Sequence, residues 1–224
     1  MPILSYIYVI KSNLMLVVND LSLSNSLIHQ ILYELRNTDI QSNRQGFRHN
    51  MKKFGQICAY EISKHLEYEQ LNTETSLGEA TVKRISSDVV ICPILRAGLT
   101  IHEGMLDFLP MAESGFISAY RKHDRGGNFE INLSYLTCPN IDGKVLIIAD
   151  PMLATGSSIE QSLKELVVYG TPLRTIVVTA IASKEGIEYI HRKFPKITIF
   201  VGAIDEELTA KSYIVPGLGD AGDL

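Results

Sequence analysis

The residues best suited to chemistry lie in one run, Ile147-Ile148-Ala149-Asp150-Pro151-Met152-Leu153-Ala154-Thr155-Gly156-Ser157-Ser158. An apolar strand ends in a carboxylate. A glycine set among hydroxyls follows, and helical spacing begins at once. The first turn of a helix carries unpaired N–H groups and the positive end of the helix dipole. Gly156 lets backbone approach a ligand, and Thr155, Ser157 and Ser158 add donors, so the run reads as a monophosphate site. Asp150 sits where an open α/β sheet places its ligands, at the carboxyl end of a strand, and its oxygens can accept hydrogen bonds from sugar hydroxyls. On composition alone, a capped helix after an ordinary turn gives the same pattern. The run lacks GxxxxGK, and no GxGxxG follows the first strand, which argues against P-loop nucleotide hydrolysis and dinucleotide binding.

Two arginines add cationic chemistry. Arg96 ends the apolar run Cys92-Pro93-Ile94-Leu95 and precedes Ala97-Gly98, a placement from which a planar guanidinium can grip phosphate oxygens. Arg121 follows Ala119-Tyr120. Near the carboxyl terminus, Tyr213-Ile214-Val215-Pro216-Gly217-Leu218-Gly219-Asp220-Ala221-Gly222-Asp223 packs three glycines and a proline into a tight, irregular backbone. The interleaved Ile214, Val215 and Leu218 argue against a frayed tail. None of the six histidines presents itself as a general base; His102 and His123 fall nearest the loops above and read as packing or surface residues.

These groups need a scaffold, and strands alternating with helices supply it. Leu27, Ile31, Leu32 and Leu35 recur at helical spacing, as do Phe54, Ile57, Cys58 and Ile62, with a polar connection over residues 37–46. Residues 89–95, 115–120, 144–149, 174–182 and 197–204 read as strands, and 99–108, 158–169 and 184–194 as helices. Ser157 with Glu160 fits a capping box. The rhythm implies βαβ units: an α/β fold with a mostly parallel sheet flanked by helices, preceded by N-terminal helices. Residues 122–138 interrupt it and predict a flap or β-arm. The 224 residues suit a single domain, with residues 1–14 a loose extension and Met15 an alternative start.

Composition narrows the partners. With 46% hydrophobic and 21% charged residues the balance is that of a globular protein. A net charge of −4 with no basic run disfavours nucleic acid as principal ligand. The apolar start is broken by Pro2, Lys11 and Asn13, so it suits neither a signal peptide nor a membrane span. Three scattered cysteines, Cys58, Cys92 and Cys138, carry no zinc or disulfide spacing and fit free thiols in a reducing cytoplasm.

An apolar strand, an acidic residue and Thr-Gly resemble the ribose-phosphate loop of type I phosphoribosyltransferases. Most members carry two adjacent acidic residues; Asp150-Pro151-Met152-Leu153-Ala154-Thr155-Gly156 is similar to the form found in the uracil phosphoribosyltransferase family. Pro93-Ile94-Leu95-Arg96-Ala97-Gly98 resembles that family's pyrophosphate-side loop, Tyr120-Arg121 its Tyr-Arg, and residues 213–223 its uracil-binding ending. Phe47-Arg48, Gly55 and Tyr60-Glu61 extend the likeness more loosely, so that it runs from about Leu35 onward. Ser157 departs from the family, which has glycine there.

The resemblance implies transfer of phosphoribosyl from phosphoribosyl pyrophosphate to N1 of uracil, giving UMP and pyrophosphate. It assigns Arg96, Arg121, Asp150 through Ser158, and Asp220 to the donor, with Arg96, Arg121 and Asp150 closest to the chemistry. Ile214, Gly219, Asp220 and Ala221 are assigned to uracil. It further implies Mg²⁺ carried mainly on donor oxygens, a homodimer or larger homo-oligomer, and, in some relatives, GTP as an effector. Two other readings use the same fold. An RNA-binding pyrimidine regulator would want a basic face and the acidic pair, both lacking here, and a catalytically silent nucleotide sensor is favoured only by Ser157.

Overall fold

The long β-branched and apolar runs become the centre of one sheet because they are buried on both sides. The computed structural model describes residues 7–8, 16–123 and 129–221, with backbone alone at residues 7, 8, 16, 119–123 and 129–134. The elements in chain order are β1 Ile7–Tyr8, β2 Leu16–Asp20, α1 Leu27–Arg36, α2 Thr38–Gln41, α3 Arg44–Ser63, β3 Tyr68–Thr75, β4 Gly78–Ile85 and β5 Val89–Leu95. Then come α4 Leu99–Phe108, β6 Glu113–Ser114, β7 Phe116–His123, β8 Phe129–Thr137, β9 Val145–Ala149, β10 Met152–Leu153 and α5 Ser157–Leu166. The chain continues through β11 Arg174–Ser183, α6 Lys184–Lys193, β12 Thr198–Asp205, β13 Glu207–Leu208 and β14 Ile214–Val215.

The main sheet has the order β1-β2-β12-β11-β9-β5-β7-β8. Every pairing from β2 across to β7 is parallel, and only β1 and β8 run antiparallel to their neighbours. Alternate side chains of each central strand enter two separate cores. Val89 and Ile91 of β5, with Val145 and Ile147 of β9, pack beneath α1, α3 and α4 through Leu35, Phe54, Ile62, Ile101 and Met105. Val90 and Cys92, with Leu146 and Ile148, pack beneath α5 and α6 through Ile159, Leu166, Ile187 and Ile190. Three layers result: helices, sheet, helices.

The α/β architecture expected from sequence is therefore present, with some changes of detail. The connection over residues 37–46 is shorter than expected: Asn37 caps the one-turn helix α2, and Asn43 caps α3, which runs from Arg44. The hairpin expected within residues 122–138 is built from β7 and β8, paired from Phe116–Thr137 to His123–Phe129, and residues 124–128 lie outside the described residues. Ile7 and Tyr8, inside the expected extension, pair with Val17 and Leu16 of β2. A second hairpin, β3–β4, forms a two-stranded sheet of its own, and most of its side chains are exposed on both faces.

Phe54 is fully buried where α3 crosses β12, its ring against Gly202. Phe54→Ala is expected to cost about 3–5 kcal/mol in urea denaturation. Leu77→Ala at the 99% exposed hairpin tip is expected to cost less than about 0.5 kcal/mol in the isolated chain.

Candidate active site

The sheet's connectivity fixes where a ligand can sit. From β5 the chain passes through α4, on the α3 side, to β7; from β9 it passes through α5, on the opposite side, to β11. Yet β5 and β9 are neighbours, with Pro93 opposite Ala149. The loops leaving their carboxyl ends must therefore part, and the crevice between them is the topological switch point at which open α/β sheets bind ligands. Arg96 stands at one lip and Asp150 at the other. The two loops are close: a Cβ on Gly98 would lie 2.3 Å from the Ala149 carbonyl oxygen. The Leu95–Arg96 peptide bond is cis, and the Arg96 side chain is exposed. Leu95 pairs with Ser118, so the Arg96 loop lies alongside β7, whose backbone carries Arg121. The Arg121 side chain lies outside the described residues.

The loop after β9 is held rigidly from beneath. Met152 and Leu153 pair with Ile181 and Ala182 of β11. The Pro151 carbonyl accepts from the amides of Ala180 (3.0 Å) and Ile181 (3.1 Å). The Leu153 amide donates to Thr179 Oγ1 (3.1 Å), and Ser183 Oγ donates to the Ala154 carbonyl (2.5 Å). With these backbone groups committed to β11, the chain turns at Gly156, whose φ of 83° is left-handed, and α5 begins at Ser157. The first-turn amides of α5 then flank a hollow lined by Asp150 and residues 152–159.

Here the structure corrects the expected capping box. Gly156 is the N-cap, with no side-chain cap, and Ser157 is the first helical residue. Thr155 and Ser157 hydroxyls pair at 2.9 Å, close to the hollow. Glu160 turns away to accept from the Tyr189 hydroxyl and to meet Lys164 at 2.9 Å. The Tyr189 hydrogen bond, ahead of the lysines, holds the Glu160 carboxyl below its usual range. Tyr189 and Ile190 in turn press against Gly156.

The C-terminal loop reaches the same edge of the sheet. β14 pairs with β13, and Ile214 and Leu218 are buried in the core beneath α1 and α3. Gly217 and Gly219 take left-handed φ values of 60° and 85°; Asp220 is exposed and Ala221 half-buried. The Gly217 amide donates to Asp205, the last residue of β12, and Asp205 pairs in register with Ser183, which holds Ala154. Asp150 with the rest of the loop after β9, Arg96 and residues 214–221 thus gather at the carboxyl ends of β5, β9, β11 and β12.

Several supporting residues carry no sequence motif: Thr179, Ser183, Arg36 and Asp205. Of these, Ser183 was the most readable, as an N-cap before α6, where it accepts from the Gly186 amide. His102 is buried, its Nε2 is 2.9 Å from Ser114 Oγ, and burial pushes its ring below the ordinary histidine range, which fits a packing role. The His123 side chain lies outside the described residues. A larger hollow of about 620 Å³, lined by Leu146, Leu166, Arg174, Lys193 and Ile197 among others, opens at the amino ends of β9, β11 and β12, away from this gathering.

Fold and site together define an α/β protein with an open crevice at a topological switch point, where sheets of this kind bind their ligands. Residues 22–224 match the family model described as uracil phosphoribosyltransferase. The chain is similar to the uracil phosphoribosyltransferase of Porphyromonas gingivalis, 44% identical over 91% of this chain and 95% of that protein. It is 43% identical to that of Pyrococcus furiosus, over 88% of this chain and 84% of the relative. In structure it resembles the AQ2163 protein from Aquifex aeolicus, with a TM-score of 0.84 and 36% identity over 92% of this chain and 96% of the other. The chain belongs to the uracil phosphoribosyltransferase family, a family of pentosyltransferases, as the motif resemblance implied.

The geometry separates two neighbouring positions of the loop after β9. Gly156→Ala places a Cβ 3.0 Å from Tyr189 and Ile190 in a left-handed backbone, and is expected to cost at least about 1–2 kcal/mol of stability. Ser157 lies in ordinary helical backbone, which needs no glycine. Ser157→Gly is therefore expected to keep kcat within about tenfold of wild type. Thermal melts and steady-state kinetics on the two variants check the contrast; a large gain on restoring glycine contradicts it.

Proposed function

We propose that the protein transfers the phosphoribosyl group of phosphoribosyl pyrophosphate to N1 of uracil, releasing UMP and pyrophosphate. The observation that carries this reading is the meeting of three loops, after β5, after β9 and at residues 214–221, at one edge of the sheet. The first-turn amides and hydroxyls of Thr155, Ser157 and Ser158 hold the 5-phosphate, and Asp150 accepts from the ribose hydroxyls. As the bond from C1 to pyrophosphate breaks, negative charge grows on the leaving group and positive charge on the sugar ring. Arg96 and Arg121 oppose the first, and Asp150 lies near the second. Attack by N1 from the other side forms the C1–N1 bond and inverts C1, and the N1 proton passes to water or to the departing pyrophosphate. Asp220 contacts the donor, directly or through water. A Mg²⁺ ion would enter on donor oxygens, neutralising the pyrophosphate; the carboxylate of Asp150, beside a site built from amides and hydroxyls and with Asp205 committed to Arg36 and Gly217, suits an ion that brings most of its own ligands.

Backbone around Ile214 and Gly219 to Ala221 reads uracil, whose two carbonyl acceptors flank one N–H donor. Cytosine inverts that pattern at C4 and N3, setting donor against donor and acceptor against acceptor. Membership of the family favours an enzyme over an RNA-binding regulator, and a helical backbone at Ser157, which needs no glycine, gives the silent-sensor reading no support. The exposed β3–β4 hairpin supports a homodimer or larger assembly, since an isolated two-stranded hairpin is marginal in water and gains from a partner. Cys58, Cys92 and Cys138 are free thiols, which fits a cytoplasmic site of action. Among the described residues no helix is long and apolar enough to cross a membrane.

Incubation with uracil, phosphoribosyl pyrophosphate and Mg²⁺ is expected to yield UMP, and no UMP under these conditions contradicts the reading. The kcat/KM for uracil is expected to exceed that for cytosine by ~10⁴ or more, and a ratio near unity removes the backbone-readout account. Arg96→Ala is expected to lower kcat/KM for phosphoribosyl pyrophosphate by an amount equivalent to ~1.5–3 kcal/mol while uracil affinity changes little. Unchanged kinetics place Arg96 outside the site.

A further inference from the structure

An ion pair outside every sequence motif grips the middle of the C-terminal loop. Arg36 is the last residue of α1, and Asp205 the last of β12. Arg36 Nη1 donates to Asp205 Oδ2 at 2.8 Å and Nη2 to Oδ1 at 2.7 Å, a two-pronged pair whose side chains are 24% and 7% exposed. The same pair takes both polar groups of one peptide residue. Arg36 Nη1 also donates to the Gly217 carbonyl at 2.9 Å, and the Gly217 amide donates to Asp205 Oδ2 at 2.8 Å. Gly217 has a left-handed φ of 60°, and a Cβ there would lie 2.2 Å from the Ile214 carbonyl oxygen, so the loop is folded hard back on itself at this point. A further tie comes from Gln41 of α2, whose Nε2 donates to the Arg36 carbonyl at 3.2 Å.

We propose that Arg36 and Asp205 are positioning residues for the base: they fix the backbone that reads uracil without touching it. The proposal rests on residues 214–221 being the uracil site. A base read by side chains tolerates small shifts of backbone, but one read by amides and carbonyls does not, and a displacement of about 1 Å can cost ~10²-fold in rate. Gly217 lies between Ile214 and Gly219 to Ala221, so fixing its two polar groups fixes the groups on either side. Each partner is anchored independently. α1 is seated by Ile28, Ile31, Leu32 and Leu35, and β12 lies between β11 and β2. Loss of the Arg36 side chain therefore leaves both elements in place and loosens the loop, which keeps its Gly217 amide bond to Asp205 and its apolar anchors Ile214 and Leu218. Asp205 is the poorer position to vary, since it neighbours Ser183, which supports the phosphate loop.

The test compares wild type with Arg36→Ala and Arg36→Lys, measuring KM for uracil and for phosphoribosyl pyrophosphate, each with the other saturating. Amide hydrogen exchange is followed in residues 212–221 and 154–166. Arg36→Ala is expected to raise the uracil KM roughly tenfold or more. KM for the donor should stay within about twofold, with faster exchange confined to residues 212–221. Arg36→Lys, which keeps the charge and loses the fork, should fall between. Unchanged exchange in residues 212–221 overturns the clamp, and equal rises in both KM values reduce it to a general stabilising contact. Faster exchange with only the donor KM raised shows instead that the loop is not the uracil site. Should Arg36→Ala not fold, Arg36→Lys decides: a raised uracil KM supports the proposal, and wild-type kinetics with wild-type exchange overturns it.

Discussion

Two adjacent parallel strands, β5 and β9, carry helices to opposite faces of the sheet, and the site depends on that divergence. Right-handed crossovers oblige it: from β5 the chain steps to β7 over one face, and from β9 it steps the other way to β11 over the other. Neither loop can cover the other, so the carboxyl ends of the two strands stay open to a ligand while everything below is filled by side chains. The sheet can be buried on both faces only because its strands are almost wholly apolar, and that same burial makes the strand ends rigid enough to hold Arg96 and Asp150 on either side of one crevice.

Around the crevice, the loops are held mostly by groups of other elements. The loop after β9 is fastened by Thr179, Ser183 and the amides of β11, leaving the start of α5 to face the crevice. The C-terminal loop is fastened by two apolar anchors, Ile214 and Leu218, and by the Arg36–Asp205 pair. Both loops thus pass through the carboxyl ends of β11 and β12, where Ser183 and Asp205 lie in register. The loop after β9 and the C-terminal loop, held by paired residues of neighbouring strands, keep a fixed separation, as the proposed substrates, a sugar phosphate and a base, require.

The central strands were legible because burial on both faces writes uninterrupted apolar runs, and the phosphate loop because a carboxylate, a glycine and hydroxyls fall between a strand and a helix. The β3–β4 hairpin was not, since its side chains face solvent on both sides and leave no alternation to read. The start of α3 was hidden by Arg44, Gln45 and Arg48, whose polarity resembles a loop. Ser157 and Glu160 matched a capping box by spacing, yet the left-handed turn at Gly156 moved the cap one residue earlier and gave Glu160 to Tyr189, 29 positions away. Arg36 and Asp205 stand 169 positions apart. Asp205 ends a β-branched run much as Asp150 does, and that was its only trace in the sequence.

The most direct test of this account is a crystal structure of the protein grown with UMP. The account expects the 5-phosphate within hydrogen-bond reach of the amides of residues 154–158. The ribose should lie beside Asp150, and the pyrimidine edge against the backbone of Ile214 and Gly219 to Ala221. A nucleotide seated instead in the hollow at the amino ends of β9, β11 and β12, or held with its base away from residues 214–221, contradicts it.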